Sequence, residues 1–179
     1  MRVPPGVRGP DVTVRRARTA DVRAIRDLVE PLAARGVLVR KDAVAYYEGL
    51  QQFLVAETPS GEIAGCGALH VLWDDLAEVR TLAVAPRHLG HGVGGALLRA
   101  LLEDARGLGV GRVFCLTFEV EFFGRHGFEV IEGAPVDPDV YRELLRSYDM
   151  GVAEFLDLDR VKPNTLGNTR MLLTLDRCG

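Results

Sequence analysis

Four glycines lie within six residues, at positions 90, 92, 94 and 95, and directly precede an apolar pattern with helical spacing. Glycine lets the main chain approach a ligand closely, and the first amide N–H groups of a helix have no acceptor within the helix. These N–H groups and the positive end of the helix dipole suit the oxygens of a phosphate group. The segment therefore indicates a phosphate-binding loop. A flexible loop whose glycines only cap the helix is the alternative.

Two familiar phosphate-binding motifs fit this loop poorly. A Walker loop requires Gly-Lys-Ser or Gly-Lys-Thr, which does not follow these glycines. Gly90, Gly92 and Gly95 satisfy the G-x-G-x-x-G pattern of dinucleotide-binding folds, but residues 85–89 separate them from the preceding strand pattern. That fold also needs a series of parallel crossovers, whereas this sequence predicts one crossover after a hairpin.

The loop joins a predicted strand to a predicted helix, and a second strand follows. Residues 77–84 (AEVRTLAV) are typical of a strand and end before Pro86. Apolar residues recur at helical spacing from 96 to 105, and 112–118 (RVFCLTF) is again strand-like, which completes a strand–helix–strand crossover. Further elements are predicted at 12–17 (strand), 19–36 (helix), about 42–50 (helix), 53–57 and 63–73 (a hairpin), 139–148 (helix) and 170–175 (strand). The glycines inside 63–73 indicate a bulge or a close main-chain approach.

The composition is that of one ordinary globular domain, with 179 residues of which 47% are hydrophobic and 26% charged. Residues 12–179 are predicted to form this domain, and residues 1–11, which contain Pro and Gly, a flexible N-terminal tail. The net charge of −3 argues against a nucleic-acid partner, and no apolar run reaches the roughly 18–20 residues of a membrane span. Three cysteines without a CxxC pair favour a cytoplasmic location, and the four histidines predict no metal site because they lack partners at metal-ligand spacing.

Residues 78–98 (EVRTLAVAPRHLGHGVGGALL) resemble the central motif of the GCN5-related N-acetyltransferase (GNAT) superfamily, a strand ending in Val-x-Pro and then R-G-x-G-x-G. Residues 123–128 (FGRHGF) resemble its second motif, an aromatic residue followed by x-x-x-Gly-Phe. The resemblance implies an α/β fold with a central mixed, mostly antiparallel sheet of six to seven strands flanked by helices, and acetyl-CoA as co-substrate. Leu89 departs from the usual Arg or Gln. The residues implied to bind acetyl-CoA are Leu82, Val84, Leu89, Gly90, His91, Gly92, Val93, Gly94 and Gly95.

A closer resemblance covers most of residues 14–173 and is to the acetyltransferase domain of N-acetylglutamate synthases, above all the short, single-domain bacterial kind. It depends on segments such as GVLVRKDAV, EIAGCGALHV, FCLTF and NTRMLL. It implies acetyl transfer from acetyl-CoA to the α-amine of L-glutamate, the first step of arginine biosynthesis, and a homodimer.

The resemblance also implies catalytic positions. Glu78 matches the acidic residue beside the thioester and is the predicted base, because the acceptor amine must lose a proton before it attacks. A solvated charge at a strand edge is the alternative interpretation of Glu78. A main-chain amide near Leu82 is predicted to stabilise the thioester oxygen as it gains charge. Phe123 replaces the tyrosine that protonates the leaving thiolate in many members, so water does this or the thiolate leaves unaided.

Four residues are predicted to bind the acceptor: Leu38, Arg40, Arg80 and Thr117. Arginine binds carboxylates with two parallel hydrogen bonds, and Arg40 matches the substrate arginine of the resembled family. A solvated arginine at the start of a helix is the alternative interpretation of Arg40. For Arg80, within an otherwise apolar strand, a salt bridge is an equally good explanation. Glu119 stands where longer synthases carry a second arginine, and this reversal of charge makes L-glutamine an alternative acceptor to L-glutamate.

Two other functions stay open at this point. One is acetylation of another amine, such as a polyamine or a protein N-terminus, although Arg40 and Arg80 oppose the acidic cleft that a polyamine needs. The other is a non-catalytic acetyl-CoA-binding module, which Phe123 in place of tyrosine keeps open. His70, at the end of a predicted strand near the cleft, is interpreted as a core or surface residue rather than a catalytic one.

Overall fold

The computed structural model describes residues 8–9, 11–158 and 167–176. They form one sheet of eight strands in the order β1-β2-β3-β4-β5-β6-β8-β7. The strands are β1 Arg8–Gly9, β2 Val12–Arg16, β3 Phe53–Glu57, β4 Ile63–Trp73, β5 Leu76–Val84, β6 Arg112–Thr117, β7 Glu129–Val130 and β8 Thr169–Thr174. The helices are α1 Val22–Ala34, α2 Ala43–Glu48, α3 Val93–Gly107, α4 Val120–Arg125, α5 Pro138–Leu144 and α6 Met150–Phe155.

Every pair of neighbouring strands is antiparallel except β5 and β6, which are parallel and are joined by α3. The predicted mixed, mostly antiparallel α/β sheet is therefore confirmed. Two of its eight strands, β1 and β7, have two residues each. β1 belongs to the predicted tail 1–11 and pairs with the start of β2; most of that tail lies outside the described residues.

The two faces of the sheet are covered by different helices. On one face α3 buries Leu97, Leu98 and Leu101 completely, and on the other α1 contributes Val22 and Ile25 to a second apolar cluster. Each such side chain stabilises the fold by roughly 1.5–3 kcal/mol when fully buried. A third cluster lies where α5 and α6 pack on β6.

The close approach predicted for the glycines of β4 is confirmed at Gly65. A Cβ atom there would lie 2.9 Å from the carbonyl oxygen of Ala83 and 3.0 Å from Cδ1 of Leu97. Glycine at this position therefore lets α3 pack directly on the sheet.

The predicted elements match the structure closely, but two short helices, α4 and α6, and the two-residue strands β1 and β7 were not predicted. The helix predicted at 139–148 ends at Leu144. Among the described residues, no helix combines the length and the apolar character needed to cross a membrane.

Candidate active site

β5, the strand before the glycine loop, contains a bulge. Its register with β4 shifts so that Thr81 and Leu82 together face Gly67 and have no register partner. Thr81 has a φ of 57°, in the left-handed region that a β-branched residue rarely adopts. A Cβ atom on Gly67 would lie 3.0 Å from Cδ1 of Leu82, so glycine leaves room for the bulge. The bulge takes the main chain around Leu82 out of the regular ladder.

β5 and β6 leave a cleft between them. They pair through three residues each, and the last pair is Glu78 with Phe114. β5 continues to Val84 and β6 to Thr117 with no further pairing between these described strands. The cleft thus opens at the carboxyl ends of the two parallel strands, the usual place for a ligand in α/β sheets.

The glycine loop lies at the same end of β5. Gly90 and Gly92 have φ values of 77° and 79°, in the left-handed region that favours glycine. The N–H group of Ala96 donates to the carbonyl of Gly92 at 3.0 Å. The N–H groups of residues 93–95 precede this bond and have no acceptor within the helix. The predicted strand, loop and helix N-terminus are therefore all present in the required order.

A buried ionic cluster lies on β5 beside the cleft. Glu78 is 3% exposed and Arg80 9%. Nη2 and Nε of Arg80 both donate to Oε2 of Glu78, at 2.7 and 3.1 Å, and Nη1 donates to Oδ1 of Asp149 at 2.8 Å. Asp149 is the N-cap of α6 and also accepts the N–H of Val152 at 2.9 Å. A Cβ atom on Gly151 would lie 2.6 Å from Nη2 of Arg80, so the guanidinium lies directly against the main chain of α6.

The charges of this cluster are strongly coupled. Burial raises the pKa of Glu78, although Arg80 opposes the shift. Burial alone would also raise the pKa of Asp149, but Arg80 and the N–H of Val152 outweigh it and lower that pKa to about 2. Arg80 therefore neutralises the carboxylate of Glu78 on β5 and also binds the carboxylate of Asp149, the N-cap of α6.

Lys41 and His70 border the cluster. Burial, and then the positive charge of Arg80, lower the pKa of Lys41, which is half-buried just before α2. Within the described residues its ammonium has no hydrogen-bond partner. His70, on β4, is the register partner of Glu78 on β5. Its Nδ1 lies 3.0 Å from Oε1 of Gln52. Burial, together with Arg80, lowers the pKa of His70 to about 4.

This arrangement of bulge, cleft and glycine loop can be compared with known proteins. The Acetyltransferase (GNAT) family model matches residues 24–128, more than half of the chain. The chain belongs to this family. The predicted superfamily and enzyme class, an acetyltransferase, are thereby confirmed.

Individual relatives of this GNAT chain extend the comparison. An amino-acid acetyltransferase of Mycobacterium tuberculosis is 59% identical over 164 residues, which are 90% of this chain and 94% of the relative. An amino-acid acetyltransferase of Neisseria meningitidis serogroup A is 32% identical over 120 residues, which are 66% of this chain and 27% of that much longer relative.

Solved structures agree with the fold. A Mycobacterium tuberculosis protein in complex with CoA and NLQ is 59% identical and superposes with a TM-score of 0.88, over 91% of this chain and 99% of that one. N-acetylglutamate synthase from Neisseria gonorrhoeae, complexed with coenzyme A and N-acetyl-glutamate, has a TM-score of 0.75 over 95% of this chain and 36% of that one. At 24% identity the second likeness concerns the fold alone. Coenzyme A in the first of these structures agrees with the predicted acetyl-CoA co-substrate.

The four predicted acceptor residues of this GNAT chain have different surroundings in the structure. Arg80 lies in the buried cluster, but Arg40 is exposed and pairs with Glu30 on α1 at 3.0 Å. Leu38 packs against the apolar cluster under α1. Thr117 is buried at the end of β6, where its hydroxyl accepts the N–H of Glu119 at 2.8 Å. Within the described residues, the two arginines therefore have different partners, Glu30 for Arg40 and Glu78 with Asp149 for Arg80.

Two residues of the cluster were missed by sequence reasoning. Lys41 directly follows Arg40, and nothing in the segment RKD shows which basic residue faces inward. Asp149 lies 69 positions from Arg80, and its one local signal is that Asp is a common N-cap.

Phe123 belongs to the core. It is 5% exposed and contacts Phe122 and Phe128 edge-to-face, with ring centroids 5.2 and 5.1 Å apart. Among the described residues, no group of three or more His, Cys, Asp or Glu could hold a metal ion.

Proposed function

We propose that this enzyme transfers the acetyl group of acetyl-CoA to the α-amine of L-glutamate, with L-glutamine as the alternative acceptor, in the first step of arginine biosynthesis. The observation that carries the proposal is the half-buried ammonium of Lys41, without a hydrogen-bond partner in the described residues, next to the buried Glu78–Arg80 pair. An amino-acid acceptor has a carboxylate that can bind the ammonium of Lys41. It also has an amine that can give its proton to the carboxylate of Glu78. The 59% identical relative is named an amino-acid acetyltransferase, which supports an acceptor of this class.

Acetyl-CoA, the acetyl donor, is proposed to bind at the glycine loop and in the cleft between β5 and β6. Gly90 and Gly92 have left-handed φ values, and the N–H groups of the first turn of α3 have no acceptor within the helix. Such groups suit the diphosphate of coenzyme A. The thioester then lies along β5, where the main chain around Leu82 is outside the ladder. A main-chain N–H there is proposed to stabilise the oxygen that gains charge in the transition state.

Glu78 is proposed as the base. The acceptor enters as an ammonium and must lose one proton before its nitrogen attacks the thioester carbon. Burial raises the pKa of Glu78, which makes the carboxylate a better proton acceptor, directly or through a water molecule. Nitrogen then replaces sulfur on the acetyl carbon: it loses its second proton to water, and the thiolate of coenzyme A leaves. The buried Phe123 has no hydroxyl, so this thiolate is protonated by water.

Acceptor recognition is assigned to Lys41 rather than Arg40. Nε and Nη2 of Arg80, which form one edge of the guanidinium, already bind Glu78. Arg80 is thus occupied in orienting the base, whereas Lys41 has its hydrogen-bonding capacity available for a carboxylate. A homodimer and a cytoplasmic location also remain proposals.

The test is release of the coenzyme A thiol from acetyl-CoA over a panel of L-glutamate, L-glutamine, L-aspartate, putrescine and a peptide with a free N-terminus. The expected result is turnover with glutamate or glutamine and little with putrescine or the peptide. Turnover confined to putrescine or the peptide would refute the proposed acceptor. Tight coenzyme A binding without turnover of any amine would identify a non-catalytic module.

A further inference from the structure

His70 has a defined orientation beside the proposed base. It is the cross-strand partner of Glu78, and directly opposite residues of neighbouring strands place their side chains on the same face of the sheet. Its ring is half-buried, and its Nδ1 lies 3.0 Å from Oε1 of Gln52, at the end of the turn Leu50–Gln52 that leads into β3.

This contact determines where the imidazole carries its proton. An amide oxygen can only accept a hydrogen bond, so Nδ1 of His70 is the donor. Because burial lowers the pKa of His70 to about 4, the ring is neutral near pH 7, and its Nε2 carries a lone pair.

Nε2 is available for a ligand. No described residue forms a hydrogen bond with it. In the described part of the chain, Nε2 of His70 is not one of the fully buried side-chain polar atoms that lack a hydrogen-bond partner, so it is not sealed from solvent. The charged groups that face the ring are Glu78 and Arg80 on β5, Asp149 before α6 and Lys41 before α2. A neutral hydrogen-bond acceptor therefore lies among these four charges.

We propose that His70 is a further catalytic residue of the acceptor site: its Nε2 accepts a hydrogen bond from the amino group of the acceptor, and Gln52 is the positioning residue that holds the imidazole in this tautomer. The proposal rests on the proposed function, because it needs an amino acid as acceptor. After the ammonium has lost one proton to Glu78, the amine keeps two N–H groups and one lone pair. One N–H group bound to Nε2 limits the rotation of the amine, so that the lone pair stays directed at the thioester carbon.

The role requires a neutral ring. An imidazolium has no lone pair on Nε2 and repels the incoming ammonium. Gln52→Glu tests this directly, since it keeps the shape of the side chain but places a carboxylate against the Nδ1–H group. A carboxylate at this distance raises the pKa of the histidine and brings its titration into the working pH range.

The experiment measures the KM of the preferred acceptor and of acetyl-CoA between pH 6 and 9. We expect the acceptor KM of Gln52→Glu to rise towards tenfold per pH unit below the new pKa of His70, while its acetyl-CoA KM follows the wild type. The matched control is Gln51→Glu, which adds the same charge on an exposed neighbouring side chain and is expected to follow the wild type at every pH.

A second measurement does not depend on activity. Nitrogen-15 NMR of histidine-labelled wild type, with His70→Gln to assign the signal, is expected to show the Nδ1–H tautomer. An Nε2–H tautomer, or a Gln52→Glu variant with the same acceptor KM as Gln51→Glu across the pH range, refutes this inference and leaves the proposed function standing. A wild type that acetylates no amino acid refutes the proposed function, and this inference with it.

Discussion

Replacing Arg80 by methionine should expose how much this fold depends on one guanidinium. The substitution keeps most of the apolar stem but leaves the carboxylate of Glu78, 3% exposed, without its partner. Breaking a buried ion pair from one side costs about 3–5 kcal/mol. For a domain of this size each kcal/mol lowers Tm by about 2–4 °C, so a fall of roughly 6–20 °C is expected in calorimetry or circular dichroism.

The pH dependence makes the test specific. Without Arg80 the pKa of the buried Glu78 rises further above its unfolded value, so the folded state binds more protons than the unfolded state between the two pKa values. Stability of the variant must therefore fall as the pH rises through this window, and the loss must shrink on acidification. The control is Glu78→Leu combined with Arg80→Met, which removes both charges and should recover most of the stability. A loss below about 1 kcal/mol, typical of an exposed pair, or a loss that does not change with pH, would refute the reasoning.

Three further predictions concern activity. Glu78→Gln should lower kcat by about 10²–10⁴ and flatten the pH–rate profile in steady-state kinetics, because the amine loses its proton acceptor; an unchanged profile would exclude the base role. Lys41→Ala should raise the acceptor KM roughly 10- to 150-fold, as expected for a lost charged hydrogen bond of about 1.5–3 kcal/mol, with the acetyl-CoA KM unchanged; a larger effect from Arg40→Ala would return the assignment to that residue. Gly90→Ala and Gly109→Ala both place alanine at a left-handed φ, 77° and 81°, with open space around the new methyl group. Each should cost about 1–2 kcal/mol of stability, but only Gly90→Ala should raise the KM for acetyl-CoA, and equal kinetic effects would contradict the loop assignment.

The secondary structure could be predicted because its signals are local. The hairpin strands 53–57 and 63–73 have the bounds expected from their β-rich runs and the intervening turn residues. The glycine loop could also be predicted, because Gly90 and Gly92 are needed for the left-handed conformation of their own main chain. By contrast, α6 is a single short helix whose position depends on packing against β6, where Phe155 meets Phe114 edge-to-face at 4.8 Å.

The chemical site was predictable only in part, because it is assembled from distant segments. Glu78 and Arg80 are two residues apart on one strand and therefore share a face. Asp149, the second partner of Arg80, comes from the segment after the matched family region 24–128, where no motif points to it. The choice between Arg40 and Lys41 depends on the orientation of a short irregular segment before α2, which carries no periodic pattern.

The short pairing between β5 and β6 affects how the acceptor specificity of such an enzyme can evolve. With three residue pairs between these two strands, the sheet behaves as two leaves, one built from β1–β5 and the other from β6–β8. The first leaf carries the glycine loop, whereas Phe155 of α6 packs against Phe114 of the second leaf, and Asp149, the N-cap of α6, binds Arg80 of the first. Substitutions on the second leaf are therefore expected to alter which amine is accepted and to leave unchanged the loop of the first leaf that is proposed to bind acetyl-CoA.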